Sequence, residues 1–395
     1  MEKVIKLSVK DSMVEMPEDI SSCLKNLFSG CRVNFLLGAG FSSKLLGMLG
    51  NNEIVFEELR IFKAHNENEE KKATIISAYL YWLFFKKCIA PIADKVNIYS
   101  ADFTPYKEFG NIVYRIFNER SNPVLDRQFN IFTTNYDPII ETIFDHSKCI
   151  CNDGFEGRIR PLFSTDNYTK SYYRQAVFSN RKAEIPSLNL VKLHGSVTWA
   201  WDIIEGNLEY QLYNSAIQKF HEKYTPLFDA AIEEPIEKHF SATTSSDAIK
   251  QIRAMVESNF LDTLIGRYKD FDSMLEAYKH AFLIVNPTKE KFSDTLLNKT
   301  YYELLRIFSN ELEKENVLLI ANGFSFRDEH IRDLIKRSMV NPSLKCLISC
   351  YEEEDIAKYE RLIGETKNNN ITYICLEGQE LSLEYFNQIL SCIHA

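Results

Sequence analysis

The chain has 395 residues, 45% of them hydrophobic and 26% charged, which is enough apolar material for a sizeable core and ordinary for a globular protein. Its 46 Lys and Arg against 55 Asp and Glu give a formal net charge of −9. That balance argues against broad nucleic-acid binding, while leaving room for a local basic patch.

In chain order, the opening Met1-Glu2-Lys3-Val4-Ile5-Lys6 carries neither the apolar core nor the cleavage site of a signal peptide. Val33 to Leu37 is an apolar run followed at once by Gly38-Ala39-Gly40, and Ser42-Ser43 can cap a helix carrying Leu45, Leu46 and Leu49. Strand, glycine turn and helix in that order begin a doubly wound sheet. Residues 51–122 alternate charged and aromatic residues at helical spacing and read as a helical insertion. Within them Ala73 to Phe85 is the longest apolar stretch, shorter than the ~20 residues of a membrane helix. It reads as a buried or interface helix, with exposed aromatics around Tyr79 to Phe85 as a candidate partner surface.

Sheet character returns at Phe129 to Phe132, and Asp137-Pro138 supplies an N-cap with proline at the first helical position. Cys149 to Pro186 suggests loops and short strands, Leu188 to Leu193 a strand, and 199–279 a second helical insertion. Strands are then expected at Ala281 to Val285, Val317 to Ala321, Cys346 to Cys350 and Ile371 to Cys375, with helices at Tyr301 to Glu313 and Asp328 to Met339. The expected fold is α/β: one Rossmann-like, doubly wound, mostly parallel domain over 1–395, interrupted by insertions at about 51–122 and 199–279. Nine cysteines contain no C-x-x-C pair, so reduced thiols are expected rather than a disulfide framework or a metal. The expected location is the cytoplasm, without membrane or direct nucleic-acid binding.

Four strings follow strand candidates and carry the chemistry. Gly38-Ala39-Gly40-Phe41-Ser42 suits either a phosphate cradle or a tight turn, and it lacks the third glycine of G-x-G-x-x-G. Thr133-Thr134-Asn135-Tyr136-Asp137 places Asn135 and Asp137 at a strand's carboxyl end, where open α/β sheets gather ligands. Asp137 also suits helix capping; Asn135 suits orienting a ribose hydroxyl or a water. His194 ends a strand before Gly195 and suits a general base near neutral pH. In Gly323-Phe324-Ser325-Phe326-Arg327-Asp328, Ser325 and Asp328 fit a capping box, and the same helix start suits a phosphate. His330 lies just beyond. The acidic run Glu352-Glu353-Glu354-Asp355 suits a solvated helix start or a contact to adenine ribose.

Together these strings resemble the sirtuin superfamily, in particular its divergent branch in bacterial anti-phage defence. Sirtuins carry Gly-Ala-Gly-x-Ser, Thr-Gln-Asn-x-Asp and a catalytic His-Gly; here these align with Gly38 to Ser42, Thr133 to Asp137 with Thr134 for glutamine, and His194-Gly195. The defence branch's Gly-Tyr-Ser-Phe-x-Asp-x-His-Ile resembles Gly323 to Ile331, with Phe324 for tyrosine, and Val285-Asn286-Pro287-Thr288-Lys289 is similar to the same branch. The paired C-x-x-C zinc module of sirtuin deacylases is missing, as is a Pro-Asp-Phe-Arg string after Ser42.

The resemblance implies NAD+ as substrate and no metal. It implies Asn135 and His194 as catalytic residues, and Gly38, Ala39, Gly40, Phe41, Ser42, Thr134, Asp137, Gly323, Phe324, Ser325 and Asp328 around the dinucleotide. The implied activity is hydrolysis of NAD+ to ADP-ribose and nicotinamide in abortive infection. A homo-oligomer and a separately encoded activator, first of all a HerA-type hexameric ATPase, are the implied partners. The alternatives are a deacylase or ADP-ribosyltransferase using the same dinucleotide, and a non-catalytic NAD or ADP-ribose sensor.

Overall fold

Apolar runs form strands where both faces of a sheet are covered, and the runs at Val33, Phe129, Leu188 and Val317 all do so. In the computed structural model, which describes residues 3–47, 52–120, 125–202, 204–228, 240, 242, 244–285, 295–366 and 368–393, nine strands make one sheet. They are β1 (Val4–Lys10), β2 (Met13–Glu15), β3 (Arg32–Leu37), β4 (Gln128–Thr133), β5 (Ile150–Asn152), β6 (Ser187–Lys192), β7 (Val317–Asn322), β8 (Lys345–Ser349) and β9 (Ile371–Leu376). Their order is β2-β1-β9-β8-β7-β3-β4-β6-β5, parallel throughout except for β2 at the edge. Beyond β3 the chain moves to β4, whereas beyond β7 it moves to β8 on the other side. The carboxyl ends of β3 and β7 therefore flank a topological switch point, where doubly wound folds bind ligands.

Helices cover both faces of this sheet. Phe117, on the Thr104–Asn118 helix, stacks on Phe129 with ring centres 4.1 Å apart. Phe132 points to the opposite face and meets Phe308, on the Thr295–Glu313 helix, at 4.8 Å. All four rings are fully buried.

A ladder of asparagines crosses four strands within this apolar interior. Asn34, Asn130, Asn189 and Asn152 face one another in register on β3, β4, β6 and β5. Asn130 Nδ2 donates to Asn34 Oδ1 at 2.7 Å, Asn189 Nδ2 to Asn130 Oδ1 at 3.0 Å, and Asn152 Nδ2 to Asn189 Oδ1 at 2.9 Å. A one-residue slip of any of these strands would turn its asparagine into the apolar layer on the other face, so the ladder specifies register. Three residues further along, Asn322, Leu37, Thr133 and Lys192 form one level row across β7, β3, β4 and β6.

The described chain divides into two compact units. The sheet unit comprises Met1–Leu45, Asn97–His194 and Lys299–Ala395; the second comprises Leu46–Val96 and Gly195–Asn298. The stretch expected as the first insertion is thus divided, since the Thr104–Asn118 helix packs on the sheet. The second unit is mainly helical, with helices Asn52–His65, Glu70–Phe84, Tyr213–Tyr224, Ser245–Val256 and Tyr268–Ala281, and a hairpin of Trp199–Asp202 with Asn207–Tyr210. The aromatics expected to be exposed at Tyr79 to Phe85 are instead its core. Tyr79, Trp82 and Phe85 are buried, and Trp82 stacks on Phe228 at 4.6 Å.

The helical run Glu70–Lys95 is 26 residues, because a π-helical turn at Phe85–Ile89 prolongs it beyond the apolar stretch. It is long and apolar enough to cross a membrane, yet 67% of its apolar window is buried inside the protein. The strand expected at Ala281 to Val285 is only Leu283–Ile284, and it pairs with Gly195–Ser196 in the second unit instead of joining the large sheet. Of the string Val285 to Lys289, residues 286–289 lie outside the described residues.

Replacing Asn189 by alanine strips acceptor and donor from the middle of the ladder. Leaving buried amides unpaired costs roughly 1–3 kcal/mol. The urea midpoint of Asn189→Ala should fall accordingly with an unchanged m-value, and an unaltered midpoint would show that the ladder contributes nothing.

Candidate active site

The glycine string leaves β3 and touches the turn that leaves β7. Gly38 N–H donates to Asn322 O at 3.0 Å, Gly40 N–H to Gly323 O at 2.9 Å, and Phe41 N–H to Gly38 O at 2.9 Å. A Cβ on Gly38 would lie 2.5 Å from Gly323 O, and one on Gly323 would lie 2.2 Å from Phe41 N. Gly323 also has φ +65°, a left-handed conformation that favours glycine. Close packing of two turns at the switch point therefore requires these glycines, and three of the amides expected to cradle a phosphate are already engaged by the protein's own carbonyls.

The helix expected after Ser42 is a single turn, Ala39–Ser42, with Gly38 as N-cap. Ser42 caps nothing, because its hydroxyl faces inward. Ala39 and Gly40 remain exposed. Phe41 packs on Tyr106 and Phe109 in the core, with ring centres at 5.5 and 5.2 Å, so its side chain is structural.

One buried network joins this turn to the string after β4. Asn135 Nδ2 donates to Gly38 O at 3.0 Å and to Ser42 Oγ at 2.9 Å. Ser42 Oγ donates to Asp137 Oδ2 at 2.9 Å, and Asp137 Oδ1 accepts from Ile139 N–H at 3.0 Å. Thr133 Oγ1 donates to Leu37 O and accepts from Asn135 N–H, while Thr134 N–H donates to Leu37 O at 3.2 Å. Asp137 thus serves the start of the Ile139–Asp145 helix, and Pro138 occupies the N-cap instead of the first helical position. Asn135, expected from the sequence to orient a ribose hydroxyl or a water, holds the two turns together. Its Oδ1 accepts no hydrogen bond among the described residues, and that oxygen is what it has left for a ligand.

Lys192 ends β6 beneath this network, and its role was not foreseen. It is 2% exposed, its ammonium donates to Asp137 O, and it pairs with Glu141 Oε1 at 2.9 Å. The signal in the sequence is a single lysine closing an apolar run, which a sequence reading takes for a solvated strand end. Burial pushes the Glu141 carboxyl up from its ordinary 4.5 to about 7, with the Lys192 ammonium pulling the other way. Burial likewise raises Asp137, opposed by Lys192 and by the bonds from Ile139 and Ser42.

His194 follows β6, and Leu193 N–H fixes the chain there by donating to Thr133 O at 2.8 Å. Its imidazole Nε2 lies 2.9 Å from Asp328 Oδ2, with the His194 side chain 20% exposed. A carboxylate only accepts, so in the neutral imidazole Nε2 carries the proton and Nδ1 the lone pair. No hydrogen bond reaches Nδ1 among the described residues.

The capping box expected of Ser325 is not formed. Asp328 itself is the N-cap of the Glu329–Ser338 helix, with Oδ1 accepting from Ile331 N–H at 3.2 Å. Ser325 and His330 are exposed, and Phe324 is buried against Phe326 at 5.0 Å. The acidic run forms a helix start: Glu353 pairs with Lys6 and sits at the N-cap position of Glu354–Ile363 without a side-chain capping bond.

Asn135 and His194 therefore stand two residues beyond register-paired ends of neighbouring strands, with Gly38 and Gly323 continuing the same edge. Residues 130–243 match the family model described as a SIR2-like domain. The matched SIR2-like stretch begins inside β4 and contains Asn135, Asp137 and His194, while the glycine turn and the Gly323 to Asp328 loop lie outside it. It supports the resemblance to the sirtuin superfamily and points to NAD use in general. No curated protein matches the chain. Among the described residues no group of His, Cys, Asp and Glu is arranged to hold a metal ion.

The Glu141 pair makes the site's support pH-dependent. Between pH 4.5 and about 7 the folded protein keeps a proton that the unfolded chain releases, so this group makes stability fall as pH rises through that window. Asp137 and Asp153, also raised by burial, act in the same sense. In Glu141→Gln the urea midpoint should decline less steeply over that window than in wild type. Equal slopes would show that Glu141 does not carry this proton.

Proposed function

We propose that the protein is an NAD+ hydrolase that cleaves the bond between nicotinamide and the ribose anomeric carbon. The observation that carries this reading is the pair of open atoms, Asn135 Oδ1 and His194 Nδ1, at adjacent strand ends inside the SIR2-like stretch. Asn135 Oδ1 accepts a hydrogen bond from a ribose hydroxyl or from the attacking water. The nicotinamide nitrogen departs with the electron pair of its bond to carbon and leaves as a neutral ring. Water forms the new carbon–oxygen bond, and its surplus proton passes to His194 Nδ1, directly or through a ribose hydroxyl. The products are nicotinamide, ADP-ribose and a proton. A positioned general base of this kind contributes about 100- to 10,000-fold.

The exposed Ala39-Gly40 turn and the Gly323 to Asp328 loop flank the dinucleotide in this account. An enzyme that drains NAD+ has to be restrained, and the resemblance to anti-phage proteins supports a role in abortive infection, in the cytoplasm, as a homo-oligomer activated by a HerA-type ATPase. Burial of Tyr79, Trp82 and Phe85 removes the aromatic surface first considered for that partner.

With NAD+ as sole substrate, alone or with the ATPase, the wild-type protein should release nicotinamide and ADP-ribose. His194→Ala should lower the rate about 100- to 10,000-fold with an unchanged melting temperature. Asn135→Ala should lose activity and some stability as well, because its Nδ2 bonds join two turns. Turnover that begins only when an acylated peptide is added would replace hydrolysis by deacylation, and wild-type rates in both variants would refute the assignment.

A further inference from the structure

On the reading that His194 is the base, we infer that Asp328 is its positioning residue, fixing the imidazole tautomer through a carboxylate that simultaneously caps a helix. The two oxygens face two donors: Oδ2 meets His194 Nε2 at 2.9 Å, and Oδ1 meets Ile331 N–H at 3.2 Å. The carboxylate therefore cannot turn towards the histidine without releasing the helix start, or the reverse. Because both partners are donors, the proton stays on Nε2 and the lone pair stays on Nδ1. When Nδ1 takes up a proton during the reaction, the adjacent negative charge stabilises the imidazolium.

The loop that carries Asp328 is held in place at a cost. Phe326 is fully buried with φ +58°, a conformation that L side chains rarely adopt. Its ring lies against Phe324 at 5.0 Å and Tyr359 at 5.1 Å, and its carbonyl accepts from Arg332 Nη1 at 3.2 Å. Upstream, Gly323 is wedged against Gly40 and Phe41. A well-capped helix alone needs none of this strain; delivering the cap carboxylate to a histidine beyond the end of β6 does.

Asparagine separates the two duties of Asp328. It is a good helix cap but has a single acceptor oxygen. With that oxygen on Ile331 N–H, its NH2 group faces His194 Nε2, which must then accept and move the imidazole proton to Nδ1. Asp328→Asn should therefore preserve the melting temperature while lowering kcat at least tenfold.

Nitrogen-15 NMR of His194 should report the Nε2–H tautomer in the wild-type protein and the Nδ1–H tautomer in the variant. This spectrum reads the positioning role whether or not nicotinamide is released, so a failure of the hydrolase reading stays distinguishable. An unchanged tautomer in Asp328→Asn, or wild-type kcat in an active enzyme, would overturn the inference.

Discussion

Four asparagine side chains, bonded in a row through the interior of the sheet, set the level of everything that follows. Asn34, Asn130 and Asn189 each lie four residues before the first residue of a turn: Gly38, Thr134 and Leu193. With the ladder in place those turns begin at one height, and the side chains two residues beyond β4 and β6 come out side by side. A polar row in an apolar layer is tolerated because each amide bonds its neighbour, with only the terminal Asn34 Nδ2 left without a partner among the described residues. Register is what the pairing secures, since apolar side chains of similar volume would fill the space without distinguishing one alignment from the next.

Above that row a second polar layer does different work. Asn135, Ser42 and Asp137 join the turn after β3 to the turn after β4, and Lys192 with Glu141 supports them from below. On the other side of β3, glycines let the turn after β7 touch the turn after β3 backbone to backbone. The motif residues are consequently scaffold, and on the proposed reading they are site as well. Asn135 uses its NH2 group for the fold and keeps its oxygen, and His194 uses Nε2 for Asp328 and keeps Nδ1. Each catalytic candidate is oriented by its own structural bond, which is how a site stays preorganised before a ligand arrives.

Much of this was legible in the sequence because parallel strands covered on both faces read as unbroken apolar runs, and β3, β4, β6 and β7 do. The strings that end them stood out for the same reason. The ladder was visible too, as single asparagines inside those runs at a constant distance from each turn, but its meaning depends on strand order, which one chain does not announce. The Asp328–His194 contact joins positions 134 residues apart, and local capping rules pointed to Ser325 instead. The aromatics at Tyr79 to Phe85 are ambiguous in sequence because a helix apolar on nearly all sides is equally a surface for a partner or the centre of a helical unit. Their packing against Phe228 and Phe271 makes them the latter. Ala281 to Val285 reads as one more strand from its apolar run, whereas only Leu283–Ile284 forms one, paired with the two-residue strand after His194.

The account rests on one spatial claim, that the oxygen of Asn135 and the unbonded nitrogen of His194 address the same sugar. A crystal structure of the protein with ADP-ribose bound tests it most directly. The account predicts the distal ribose at the edge formed by β3, β4 and β6, with hydroxyls within hydrogen-bond distance of Asn135 Oδ1 and His194 Nδ1. Electron density for ADP-ribose elsewhere on the molecule, or a ribose that meets neither atom, would contradict it.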